Sequence, residues 1–167
     1  MRLNPPLQDW HDQVVWIIGA STGIGAATAH QLHAQGARVI VSARDQAGLD
    51  RFVREHPGAL AIALDVTRED TMKAALELVL ASFGRIDLVA YSAGYYQEMG
   101  AADFDLDIAR RHLAVNFEGA LILLSLLLPV MLRQGRGHLS LSASVAGYRG
   151  LPKAMAYGPT KAALQHL

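Results

Sequence analysis

The chain has 167 residues, 51% of them hydrophobic and 18% charged, enough apolar content for one sizeable core and too much for a disordered chain. Fifteen Lys and Arg offset fifteen Asp and Glu, so no net field draws the protein to nucleic acid or to an anionic membrane surface. Cysteine is absent, which excludes disulfides, thiolate nucleophiles and cysteine-based zinc sites and suits a reducing compartment.

The opening MRLNPPLQDWHDQ lacks the apolar run of a secretory signal, so the expected location is the cytoplasm and residues 1–12 read as a lead into a single domain covering 1–167. A first strand is predicted at Val14 to Ile18 (VVWII), followed by GASTGIG and a helix that ends at Gly36. Further strands are predicted at Ala37 to Ser42, Ala59 to Leu64, Ile86 to Tyr91 and His138 to Ala143. A crossover helix from Thr67 to Gly84 opens with Glu69 and Asp70 in its first turn. A long helical stretch from about Asp105 to Gln134 is expected to break near Val115 into two helices. Its most lipid-like part, Ala120 to Leu132, contains Pro129 and is shorter than the roughly 20 residues of a membrane span, so burial in protein is the expected reading.

Strand candidates that are apolar on consecutive positions, alternating with helical segments, predict a parallel sheet covered on both faces. The fold class is α/β, a doubly wound sheet of Rossmann type with about five strands present.

Directly after the first strand stand Gly19, Gly23 and Gly25. A turn of this kind needs unusual φ values, close approach of the backbone to a pyrophosphate, and tight packing of the helix start on the strand. The helix N-terminus would then direct free N–H groups at the phosphates. The spacing is G-x-x-x-G-x-G rather than G-x-G-x-x-G, and a plain tight turn is the bland alternative. At the end of the second strand the chain reads SARD. A carboxylate there would bond a ribose and repel a 2′-phosphate, whereas neutral Ala43 followed by Arg44 favours NADP(H) over NAD(H). A solvated loop arginine, partly neutralised by Asp45, is the other reading.

In the final segment, Tyr157 and Lys161 are four residues apart and share a face if that segment is helical. A phenol ionises near 10 and is a poor proton carrier at neutral pH. An ammonium about 4 Å away, at an effective dielectric of about 20, stabilises a phenolate by about 4 kcal/mol, or about three pKa units. Ser144 follows the fifth strand, where its hydroxyl can polarise a carbonyl oxygen.

With these motifs in order, the chain from Val14 onward resembles the short-chain dehydrogenase/reductase family. GASTGIG resembles its glycine motif, with Ile18 where threonine is common; LDV (Asp65 and Val66) resembles its adenine-contacting segment. YSAG (Tyr91 to Gly94) stands where the family usually has N-N-A-G, and VNFEG supplies Asn116. Ser144, Tyr157 and Lys161 keep the family's catalytic spacing.

The resemblance implies a NAD(P)-dependent oxidoreductase moving a hydride between cofactor and a small carbonyl or alcohol substrate, with no metal required. Tyr157 would be the proton donor or acceptor. Lys161 would hold the nicotinamide ribose and support the tyrosine, Ser144 would orient the substrate oxygen, and Asn116 would place a relaying water. Cofactor contacts are implied for Gly19, Ser21, Thr22, Gly23, Ile24, Gly25, Arg44, Asp65, Val66, Ser92, Ala93, Gly94, Tyr157 and Lys161. A homodimer or homotetramer through the helices at 115–134 and 155–167 is also implied, against intrachain burial of the same residues.

Family members continue into further strands and a substrate lid, so the chain is expected to be C-terminally incomplete and to turn over little by itself; a native short chain is the alternative. A dinucleotide-binding module without catalysis is the competing function. His30 and His33 could share a helix face, but no third metal ligand is evident in the sequence, and Asp103, Asp105 and Asp107 do not have calcium-loop spacing. No metal site is expected.

Overall fold

The computed structural model describes residues 9–167; residues 1–8 of the expected N-terminal lead lie outside the described residues. Five parallel strands, β1 (Val14–Ile18), β2 (Arg38–Ala43), β3 (Leu60–Ala63), β4 (Leu88–Tyr91) and β5 (His138–Leu141), form a sheet in the order β3-β2-β1-β4-β5. The chain builds outward from β1 to β3, then crosses back to place β4 on the other side of β1. That reversal between β1 and β4 opens a crevice at the C-terminal strand ends.

The helices are α1 (Gly23–Ala34), α2 (Gln46–Glu55), α3 (Glu69–Phe83), α4 (Leu106–Leu113), α5 (Gly119–Gln134) and α6 (Tyr157–Gln165). Alternate residues of β1 feed two separate cores. Val14, Trp16 and Ile18 join Met72 and Val79 of α3 and Leu123 and Leu127 of α5. Val15 and Ile17 join Ala29 and Leu32 of α1 and Leu49 and Phe52 of α2. A strand buried on both faces has no polar side to advertise, which is why β1 is apolar throughout.

Strand β1 has the expected bounds, and the other four differ from the sequence expectation by one or two residues at one or both ends. Helix α2 is an element the sequence reading did not single out. Gly48 in its first turn weakens the helical signal; a Cβ there would lie 3.3 Å from Ser21 Cβ and 2.7 Å from the tip of the exposed Asp45 side chain. The helix is thereby pressed against the glycine-rich turn.

The expected break near Val115 is not a break. A π-helical turn, Ala114–Glu118, joins α4 to α5 in one run from Leu106 to Gln134. The Tyr91 hydroxyl donates to the Val115 carbonyl at 2.6 Å, and burial pushes that phenol well above its ordinary pKa. Gly119 leaves the room, since a Cβ there would meet Tyr91 Oη. The continuous run of 29 residues is long and apolar enough by composition to cross a membrane, longer than the stretch weighed from sequence. Its inner face, including Leu123, Leu127 and Val130, belongs to the core beside the sheet.

At the opposite end of the sheet from the crevice, buried Asp87 ties three segments together. Its Oδ2 accepts from the Val14 N–H and from Arg85 Nε, both at 2.9 Å, and Arg136 lies 3.3 Å from Oδ1. Asp87→Ala would leave a strand N–H and two guanidinium groups without their acceptor, costing about 2–4 kcal/mol. The expected result is a melting temperature lower by roughly 5–15 °C, with a smaller loss for Asp87→Asn; a fall under about 2 °C would contradict this role.

Candidate active site

The crevice has a volume of ≈ 720 Å³. Every residue expected at the cofactor lines it: Gly19, Ser21, Thr22, Gly23, Ile24 and Gly25 from the first turn, Arg44 after β2, Asp65 and Val66 after β3, Ser92, Ala93 and Gly94 after β4, and Tyr157 and Lys161 from α6.

The first turn is held from below, because the N–H groups of Gly19 and Ala20 both donate to the Ser42 carbonyl, at 2.7 and 3.1 Å. Gly19 has φ +91°, and a Cβ on it would sit 2.3 Å from the Ala93 backbone nitrogen; a Cβ on Gly25 would sit 2.2 Å from the Gly19 carbonyl oxygen. These glycines let β1, α1 and the post-β4 loop converge. Thr22, the residue before α1, makes no side-chain cap, so the first amides of this helix keep their capacity for an anion. Ile24 is 76% exposed at the crevice, an apolar surface left over for a ligand.

Arg44 and Asp45 are both exposed at the rim after β2. Across from them, Asp65 Oδ1 accepts from the Thr67 backbone N–H at 3.0 Å and the Thr67 hydroxyl at 2.8 Å. The Thr67 backbone bond leads, and the hydroxyl, Arg44 and Arg68 help, in holding this carboxyl below the usual carboxylate range. The rim therefore carries an ionised carboxylate beside an arginine.

Two serines close the floor. Ser92 Oγ and Ser142 Oγ are 3.1 Å apart, linking the ends of β4 and β5. Lys161 Nζ donates to the Ser142 carbonyl at 2.6 Å and is 4% exposed; burial lowers its pKa. Its Nζ lies 5.6 Å from the Tyr157 ring centroid, so the ammonium is anchored on backbone and faces the ring. Ser142, with Val115 and Ala143, lines the crevice without having been expected at the site from sequence; Ala43 and Asp45, which flank Arg44, line it as well.

Helix α6 reaches this position through two glycines. A Cβ on Gly147 would lie 2.8 Å from the Lys161 carbonyl carbon, and one on Gly158 would lie 3.1 Å from the Ala146 carbonyl oxygen. The short 3-10 turn Val145–Gly147 can therefore nest against α6 directly below Ser144. Ser144 Oγ accepts from the Ala146 N–H at 3.2 Å, an arrangement that leaves its hydroxyl proton for another acceptor.

Asn116 does not line the crevice; it is fully buried in the π-helical turn. Its Oδ1 accepts from the Tyr95 N–H at 2.7 Å, and its Nδ2 donates to the Tyr95 carbonyl at 2.9 Å and to Thr160 Oγ1 at 3.2 Å. It fastens the post-β4 loop to the residue next to Lys161. Buried His112, not singled out from sequence, is fully occupied: Nδ1 donates to the Ile108 carbonyl at 2.9 Å and Nε2 accepts from the Gln97 N–H at 3.2 Å.

A glycine-rich turn and a Tyr–Lys pair thus share one switch-point crevice. Residues 13–167 match the family described as short chain dehydrogenase, and the chain belongs to that family. It is 33% identical over 162 residues to the human dehydrogenase/reductase SDR family member 7, covering 92% of this chain and 48% of that protein. With an uncharacterised oxidoreductase of Staphylococcus epidermidis it shares 33% identity over 154 residues, 92% of this chain and 67% of the relative. Among solved structures, a short-chain dehydrogenase from Streptomyces avermitilis superposes with a TM-score of 0.88 at 33% identity, covering 93% of this chain and 58% of that one. A variant of actinorhodin polyketide ketoreductase solved with NADPH gives 0.87 at 26% identity, covering 92% and 61%. The chain thus spans about half to two thirds of the curated relatives it matches.

Proposed function

We propose that residues 1–167 form one unit that binds NADP(H) in preference to NAD(H) and works on small carbonyl or alcohol substrates through Ser144, Tyr157 and Lys161, with Asn116 as support. The observation that carries this reading is the presence of Tyr157 and Lys161 in the same crevice as the glycine-rich turn. The residues suit a dinucleotide: glycines at Gly19 and Gly25 that let the strand ends and the start of α1 converge, an uncapped start of α1, and a volume of ≈ 720 Å³.

When bound, the cofactor supplies or accepts the hydride. In the direction of reduction, the Tyr157 phenol gives its proton to the substrate oxygen as negative charge develops there. Ser144 donates its hydroxyl proton to the same oxygen and holds it in place. Lys161, fixed by the Ser142 carbonyl, is set to bind ribose hydroxyls and to favour the ionised tyrosine afterwards. Asn116 keeps the post-β4 loop and α6 in register and would order a water relaying protons toward Lys161.

Arg44, exposed at the rim, supports the NADP(H) preference through its charge. Arg44→Ala is expected to weaken NADPH binding roughly 5- to 30-fold, the worth of an exposed charge-assisted bond, and to leave NADH within about twofold. Titration of both cofactors by fluorescence checks it; equal losses for the two would sink the preference. Cofactor binding without turnover of any ketone, in a polypeptide of family length, would favour a non-catalytic binding module.

Leu121, Leu128 and Leu132 are exposed on α5, which supports a homodimer or homotetramer through the helices at 115–134 and 155–167. A cysteine-free composition supports the cytoplasm as location.

A further inference from the structure

Away from the crevice, α1 and the end of α2 bring together side chains that no step of the proposed chemistry uses. His30 on α1, and Glu55 and His56 at the end of α2, each offer a ligand atom, and these atoms lie within 4.8 Å of one another. His30 Nδ1 and His56 Nε2 are 2.8 Å apart. The missing partner for the α1 histidines is thus supplied by the helix that sequence periodicity did not reveal.

The ring of His56 is held in position before any ion arrives. Its Nδ1 is 2.8 Å from the Phe52 carbonyl, which can only accept, so Nδ1 carries the proton and Nε2 presents its lone pair to His30. The ring also stacks on Phe52, centroids 4.1 Å apart and 6° from parallel. A histidine whose far nitrogen donates to a backbone carbonyl while the near one points into a cluster of ligands is the usual arrangement at a metal. The His30 ring packs edge-on against Phe52 at 5.1 Å, so both imidazoles share one apolar support. His33 is different: its Nε2 is 3.2 Å from the Pro57 carbonyl, and it is not among the three ligand residues.

We propose that His30 Nδ1, His56 Nε2 and the Glu55 carboxylate bind one divalent ion of the zinc type. Without metal, a single proton bridges the two nitrogens. Tetrahedral zinc with bonds of about 2.0–2.1 Å sets its ligand nitrogens about 3.3 Å apart, so the pair must open by only about 0.5 Å. Exposed His30 can do this by moving its proton from Nδ1 to Nε2, with no net gain or loss of protons. Three protein ligands leave a fourth position open. His30 and Glu55 also line a ≈ 260 Å³ pocket with Ser21, Thr22 and Arg51, so that position adjoins the back of the glycine-rich turn. Bridged by an ion, α1 and α2 would be clamped behind the phosphate-facing loop.

The test titrates Zn(II) into the tag-free 167-residue chain, stripped of metal, by calorimetry and by competition with a chromophoric chelator. The expected result is one equivalent bound, with affinity reduced at least about tenfold in His30→Ala, in His56→Gln and in Glu55→Gln, and within about twofold of the parent in His33→Ala. Far-UV circular dichroism verifies folding of each variant; Glu55 is exposed, so Glu55→Gln tests ligation apart from packing. Co(II) in place of zinc should give the intense visible bands of a four-coordinate site, and lose them in His30→Ala. Failure to bind Zn(II) at about 100 µM, equal binding by the His30 and parent chains, or a loss in His33→Ala as large as in His30→Ala would overturn the proposal.

Discussion

Tyr157→Phe should cut ketone reduction by about 10²–10⁴-fold in any polypeptide that contains this segment and turns over with NADPH. The phenol oxygen is the only group removed. Tyr157 is the first residue of α6 and its hydroxyl makes no hydrogen bond to the described residues, whereas its ring packs against Tyr96 at 5.0 Å. Phenylalanine keeps the ring contacts, so the melting temperature and the affinity for NADPH should stay at parent values. That separation identifies a group used in chemistry rather than in folding. Turnover within about threefold of the parent would remove Tyr157 from the mechanism, and a matching collapse of stability would make its role structural.

A second large effect is expected at Gly19. Gly19→Val places a branched side chain at φ +91°, with its Cβ 2.3 Å from the Ala93 nitrogen and 2.6 Å from the Ala93 Cα. Both obstructing atoms are backbone, so no rotamer change relieves the contact. The loop after β4 must move away from β1, taking Ser92 and Gly94 with it. The expected loss is at least about 3 kcal/mol in urea unfolding, with NADPH binding weaker by more than about 100-fold. Gly23 is the informative contrast. Its φ is +62° but a Cβ there would meet nothing within 4 Å, so Gly23→Ala should cost only the conformational penalty of about 1–2 kcal/mol. If the two substitutions prove equally costly, close approach is not what Gly19 provides.

Much of the site was legible because its residues act through type and short-range order. A glycine turn between a strand and a helix needs neighbours in sequence, as does a Tyr and Lys pair one helical turn apart. The residues that escaped notice act across the fold instead. Ser142 matters through its carbonyl, which every residue possesses, and only the packing of α6 shows that Lys161 donates to it. Helix α2 was hidden by Gly48, a residue that lowers helical propensity and whose close packing against Ser21 appears only in the fold. The turn at Asn116 reads as a possible break because local sequence does not show that Tyr91, 24 positions earlier, reaches the Val115 carbonyl.

The sequence by itself therefore determined the fold class and the family: apolar runs alternating with helical segments dictate a sheet covered on both faces, and the order of the motifs carries the resemblance to the short-chain dehydrogenases. Only the tertiary structure decided the partners of those motifs. It put Asn116 behind the crevice as a fastener, set Lys161 on the Ser142 carbonyl, and joined His30 to Glu55 and His56 across two helices. The reason is physical: periodicity and spacing report which face a residue occupies on its own element, whereas a hydrogen bond or a metal ligand set depends on which elements are brought face to face.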